Sequence, residues 1–148
     1  MSFRSFTAGA CVAFASIAAA GCATMPPRAE PAVARSSGET VTTNFDRVIP
    51  NIPGKSLIAV EVTYAPGGTS APHHHANSSF IYAYVVSGTI RSQVEGEPAR
   101  EFHAGESWYE QPGAHHLEGR NMSTTEPAKL LAVFIVDTND KELTTPDK

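Results

Sequence analysis

The sequence predicts an all-β fold, a sandwich or barrel of short strands, and three observations predict it. Apolar and β-branched residues gather in short runs, the clearest of which alternates with a period of two, the repeat of a half-buried strand. Gly and Pro punctuate those runs at close, regular spacing. No amphipathic helix of useful length is present.

The elements follow in order. Residues 56–64 (SLIAVEVTY) alternate, with Ile58, Val60, Val62 and Tyr64 on one face, and Pro66-Gly67-Gly68 ends the run. Residues 79–86 (SFIYAYVV) are aromatic and β-branched, and Ser87-Gly88 turns the chain. Residues 89–94 follow, and Glu95-Gly96-Glu97-Pro98 reads as a hairpin. A short strand over 99–103 stops at Ala104-Gly105, and another over 106–110 stops at Pro112-Gly113. Residues 129–136 (KLLAVFIV) form a continuous apolar run that suits a buried closing strand.

The folded unit is therefore expected at about 41–136. A core from so few residues is modest, so closing the sheet or pairing with a second copy in a homodimer would help it. The polar residues 137–148 are expected to fray.

Composition narrows the partners. The chain has 148 residues, 11 basic and 15 acidic side chains and a net charge of −4. That length suits one domain. An acidic balance without a Lys/Arg cluster argues against nucleic acid, whose phosphates need a basic face. Cys11 and Cys22 are the only cysteines, so the proposed domain holds no disulfide framework, zinc ribbon or Cys nucleophile.

The N-terminus reads as a targeting segment. Arg4 precedes a small-residue apolar run over 8–20, too short and Ala-rich for a membrane span. The run ends in Ala19-Ala20-Gly21-Cys22, which resembles the lipobox of bacterial lipoproteins. The resemblance implies a signal peptide over 1–21, lipidation of Cys22 and export to the periplasmic side, with Ala23 compatible with the outer membrane. Ordinary cleavage at another small-residue site is the competing reading. Residues 22–40, with their prolines and no hydrophobic period, then read as a lipidated Cys and a semi-extended tether.

Five of the six histidines fall in two groups, His73-His74-His75 and His115-His116. Strand residues two apart share a face, so His73 and His75 reach one point while His74 points away. Of His115 and His116, one faces inward. Convergence of imidazoles from two separate strands is the pattern of a metal site, whereas a single buried His is ordinarily a hydrogen-bonded core residue. His103, beside the Gly105 turn, is expected to be exposed.

These residues resemble the cupin superfamily, in its single-domain conserved-barrel form. Gly67, five residues and His73-His74-His75 match the first motif, and Gly88 matches its final Gly. Gly105, Gly113 and His116 sit in register with the second. Gln111 replaces a motif Pro, and Asn121 comes one place late. The two motifs span Gly67 to Asn121. The resemblance implies a double-stranded β-helix, or jelly-roll barrel, and a first shell of His73, His75 and His116.

One motif residue departs. The Glu ligand would fall at Ser79 or Phe80 counting from His75, or at Ile81 counting back from Gly88, and none is a carboxylate. Glu110 is the candidate substitute, as ligand or catalytic base; a solvated strand-end carboxylate is the plain alternative. His74 and His115 are expected at the surface or behind the ligands. Tyr82, Tyr84, Trp108 and Tyr109 serve either as pocket walls or as packing.

Three neutral imidazoles would leave a divalent ion its full charge and vacant positions for an anionic or chelating small molecule. Imidazole accepts Fe, Mn, Ni or Zn, so the sequence does not select the metal. Dioxygenation is the family's nearest precedent, with metal-assisted isomerisation or hydrolysis beside it. A non-catalytic binding or sensing protein, or a barrel without metal, is compatible with the same residues.

Overall fold

The computed structural model describes residues 38–148. The signal segment, Cys22 and most of the tether lie outside the described residues. Among the described residues eleven strands follow one another: β1 (Glu39–Val48), β2 (Lys55–Tyr64), β3 (Thr69–Ser70), β4 (His73–His75), β5 (Phe80–Ser87), β6 (Thr89–Val94), β7 (Arg100–His103), β8 (Ser107–Glu110), β9 (His115–Asn121), β10 (Ala128–Asp137) and β11 (Thr144–Pro146). They pair antiparallel throughout the described residues, in two sheets ordered β1-β2-β10-β5-β8 and β11-β4-β9-β6-β7, with β3 against β9. The all-β expectation is met, and the architecture is a jelly-roll double-stranded β-helix.

The core lies between the sheets. Ile58, Val60, Val62 and Tyr64 of β2 are all buried, on the face that alternation assigns to them. Leu130, Ala132, Phe134 and Val136 of β10 join them, with Ile81, Ala83 and Val85 of β5. The second sheet adds Ile90 and Phe102, and its inner face also carries the buried polar residues His75, Ser92, His116 and Asn121.

Gly88 joins β5 to β6 with φ +77°, and a Cβ there would lie 2.7 Å from Ala128 Cβ. Only glycine meets both conditions without strain.

Four expectations change. Residues 129–136 form the buried strand expected of them, but on one face only: β10 is the centre of its sheet, and its alternate residues turn outward, leaving Ile135 exposed. An antiparallel sheet packed on one side leaves its other face to solvent, which a run of apolar residues does not announce. The tether boundary at residue 40 lies late, because Glu39 and Thr40 already pair with Tyr64 and Thr63. The polar residues beyond 136 do not simply fray, because β11 pairs with β4. Main-chain hydrogen bonds hold it, and these ask nothing of side-chain polarity. Finally, Tyr82 and Tyr109 stand opposite each other, both exposed, on the outer face of the first sheet.

Candidate metal centre

β4 and β9 build the site. His73 pairs with His116 across them, and both rings point inward, stacked at 5.2 Å. His75 follows two residues on, edge-on to His73 at 4.8 Å and to His116 at 5.9 Å. Ligand-capable atoms of the three lie within 4.8 Å of one another. His75 and His116 are buried, and His73 is half-buried.

A β-bulge decides which of the adjacent histidines on β9 faces inward. Gly119 and Asn121 are buried and pair with Ser92 and Ile90 of β6. A regular strand would then turn residues 117 and 115 inward and His116 outward. Instead Gln93 pairs with Glu118 and the next residue, Val94, pairs with His116, so Leu117 is the extra residue. The bulge flips the alternation and aims His116 into the barrel. The late Asn121 was its trace in the sequence. Asn121 is buried, and its amide donates to the Ala65 and Glu126 carbonyls.

Glu110 closes the cluster from β8. It is buried, which overturns the solvated alternative. Its Oε1 accepts from Trp108 Nε1–H and from His116 Nδ1–H, each at 3.0 Å. Its Oε2 lies 3.0 Å from His75 Nε2, but off the line a hydrogen bond requires. Burial alone would raise the Glu110 pKa. The hydrogen bond from His116 and the neighbouring His75 outweigh it and hold the carboxyl well below its usual range.

The histidines differ in protonation. Burial pushes the His73 pKa down to about 4, helped by the charges of His75 and His116. Its Nδ1–H donates to the Ala71 carbonyl at 2.8 Å, leaving Nε2 as the lone-pair nitrogen. His116 is raised instead, because its bond to Glu110 outweighs burial. As placed, it donates from Nδ1 to Glu110 and from Nε2 to the Glu118 carbonyl at 2.8 Å, the protonated form. To ligate a metal it must lose a proton and turn one nitrogen from its acceptor.

The side-chain atoms fit a cation. Both ring nitrogens of His75 and Oε2 of Glu110 are buried without a hydrogen-bond partner. Each unsatisfied group costs about 1–3 kcal/mol. A shared cation would satisfy His75 and Glu110 together and use the free Nε2 of His73.

The cluster opens on a cavity of about 530 Å³, whose far wall is the aliphatic inner face of β2, β5 and β10. Tyr64 also lines it, with its hydroxyl 2.7 Å from Ser70 Oγ. Leu143, Thr144 and Pro146 complete one wall. Alternation placed Tyr64 in the core, but nothing in the sequence marked it as a cavity residue.

The remaining expected residues fall elsewhere. Tyr82, Tyr84, Trp108 and Tyr109 do not line this cavity; Trp108 packs on Phe102 at 4.5 Å and holds Glu110. His103 is exposed and paired with Thr89. His74 and His115 face outward together. Of the three positions counted for the missing Glu, Ser79 donates to the Ala76 carbonyl, Phe80 is exposed, and Ile81 lines the cavity.

Comparison with known proteins supports this architecture. A family model described as a cupin domain matches residues 60–134. Comparison with curated protein sequences found no match. Oxalate oxidase in complex with the substrate analogue glycolate is 25% identical with a TM-score of 0.55, covering 72% of this chain and 54% of its own. The chain thus spans about half the length of that enzyme. Oxalate decarboxylase from Bacillus subtilis is 21% identical with a TM-score of 0.55, covering 75% of this chain and 28% of its own. An uncharacterized double-stranded β-helix protein from Klebsiella pneumoniae is 16% identical with a TM-score of 0.58, covering 82% of this chain and 90% of its own. The last two share the fold alone. The family match takes in just over half of the residues, including both histidine groups and Glu110, so the chain belongs to the cupin domain family.

Proposed function

We propose that this chain is an exported, lipid-anchored cupin that holds a divalent metal through His73, His75 and His116 and acts on a small chelating anion. The observation that carries the reading is the set of buried, unpartnered atoms on His75 and Glu110 beside the free Nε2 of His73. The metal would supply Lewis acidity and open positions for the substrate, with dioxygenation as the expected class.

The chain's own groups do the rest. His73 stays neutral because burial disfavours its charge. Glu110 is fixed by Trp108 and His116 and contributes negative charge beside the metal. The aliphatic wall of β2, β5 and β10 keeps the dielectric low around the bound anion. A carboxylate-bearing substrate is favoured by the cation, and the glycolate complex of oxalate oxidase supports that class.

The competing reading is a non-catalytic binding or sensing cupin, in which Glu110, held ionised by its neighbours, serves the bound cation without turnover.

Elemental analysis of the anaerobically purified full chain, followed by oxygen uptake with glycolate, oxalate and phenolic substrates, separates the two. Stoichiometric metal with turnover supports the enzyme. Metal without turnover supports the sensor. His73→Ala and His116→Ala should each abolish inner-site metal, and stoichiometric inner-site metal in either variant would remove the basis of both.

A further inference from the structure

The strand pair that turns His73 and His116 inward also turns His74 and His115 outward. These two are cross-strand partners, and their rings stack at 4.0 Å with an interplanar angle of 16°. Asp147, just past β11, completes the group: its Oδ2 lies 2.9 Å from His115 Nε2 and its Oδ1 3.9 Å from His74 Nε2. The three donors lie within 4.8 Å of one another.

We propose that His74, His115 and Asp147 form a second divalent-cation site, on the outer face of the second sheet, which fastens β11 to β4 and β9. This site does not depend on the inner one. Two imidazoles and a carboxylate suit a borderline ion such as Zn²⁺, Ni²⁺ or Cu²⁺, and not Mg²⁺ or Ca²⁺, which take mainly oxygen. Cross-strand pairing holds the two imidazoles side by side at the surface, where a turn of the exposed His74 ring would bring its lone pair and that of His115 onto one ion. Glu95 Oε2 lies 3.7 Å from His115 Nδ1, on the far side of that ring from Asp147. As placed, His115 Nε2–H donates to Asp147 Oδ2 at 2.9 Å, so an ion would displace that proton, and Glu95 adds negative charge on the other side of the ring. His74 and Asp147 are solvent-accessible, so an ion can enter without opening the sheet.

The consequence reaches the inner cavity. Thr144 and Pro146 of β11 pair with His75 and His73 and line that cavity. The Asp147 amide donates to the Pro72 carbonyl, the last main-chain tie of this segment. An ion on the outer face therefore stabilises one wall of the inner pocket.

Zn²⁺ titration of the full chain by calorimetry tests this, with hydrogen exchange over residues 144–147. The intact chain should bind an equivalent that Asp147→Ala and His74→Gln each remove and that His73→Ala leaves in place. Zn²⁺ should slow exchange over residues 144–147 in the His73→Ala variant and not in Asp147→Ala. If Asp147→Ala and His74→Gln both keep the full Zn²⁺ stoichiometry of the intact chain, the proposal is overturned. If the intact chain binds only the equivalent that Asp147→Ala removes, the function proposed above fails and this site stands.

Discussion

Glu110 of β8 stands directly across the β5–β8 pair from Ile81, the residue at which the cupin motif, counted back from Gly88, would carry its carboxylate. Directly opposed residues on antiparallel strands share a face. The barrel thus presents a carboxylate to the same cluster from the neighbouring strand.

That relation predicts a swap. Glu110→Gln should weaken divalent-metal binding about 10–100-fold, the usual cost of a group beside or behind the ligands. Glu110→Ile should do at least as much, and adding Ile81→Glu to it should restore stoichiometric binding. Equilibrium dialysis decides the matter: a double variant no tighter than Glu110→Ile would mean that a carboxylate at residue 81 cannot serve the site.

Protonation predicts a stability slope in the metal-free chain. His73 titrates at about 4 in the fold against 6.5 unfolded, so between those values the unfolded chain binds more protons. Stability therefore falls as pH drops through that interval. His116, raised, adds stability below 6.5 that is lost only as pH rises through its folded value. Glu110, lowered, adds stability above 4.5 that is lost as pH falls through its folded value. Between 4.5 and 6.5 the slope is His73's among these three, and His73→Gln should flatten it in thermal melts.

Metal uptake should move the other way around His116. Its raised pKa means that binding must displace a proton, so affinity should climb as pH rises above 6.5 with measurable proton release. Calorimetry in buffers of different ionisation enthalpy reads that release directly, and a buffer-independent heat would contradict it.

Packing predicts an intolerant glycine. A Cβ on Gly119 would lie 2.8 Å from the Tyr64 hydroxyl and 3.1 Å from Ser70 Oγ. Tyr64 is buried and cannot swing aside. Gly119→Ala should cost about 1–3 kcal/mol, as overpacking does. Tyr64→Phe in the same chain should recover part of it, and additive losses in denaturant titration would argue against the clash.

Anchoring is tested at Cys22. Cys22→Ala should release the chain from membranes into the soluble fraction, read by fractionation, and retention on the membrane would exclude a lipid anchor at that residue.

The sequence made the two-residue rules legible. Alternation placed the inward face of β2 and separated His73 and His75 from His74, because strand parity is local. It left His115 against His116 to the motif register, because a bulge resets parity and shows only as Asn121 arriving late. Glu110 stayed open because its burial depends on β5 lying beside it. Strands β1 and β11 were missed for a different reason. Polar residues such as Thr42 and Thr145 carry no apolar pattern, and β4, the strand that holds β11, is distant in sequence.

The extra residue in β9 also bears on how related chains should be aligned. A chain one residue shorter between His116 and Gly119 would lose the kink, regain the motif's His-to-Asn spacing and still point its imidazole into the barrel. A one-residue gap between Gly119 and Asn121 would send that ring to the outside. Where a gap is drawn in this strand thus decides whether an aligned histidine is chemistry or surface.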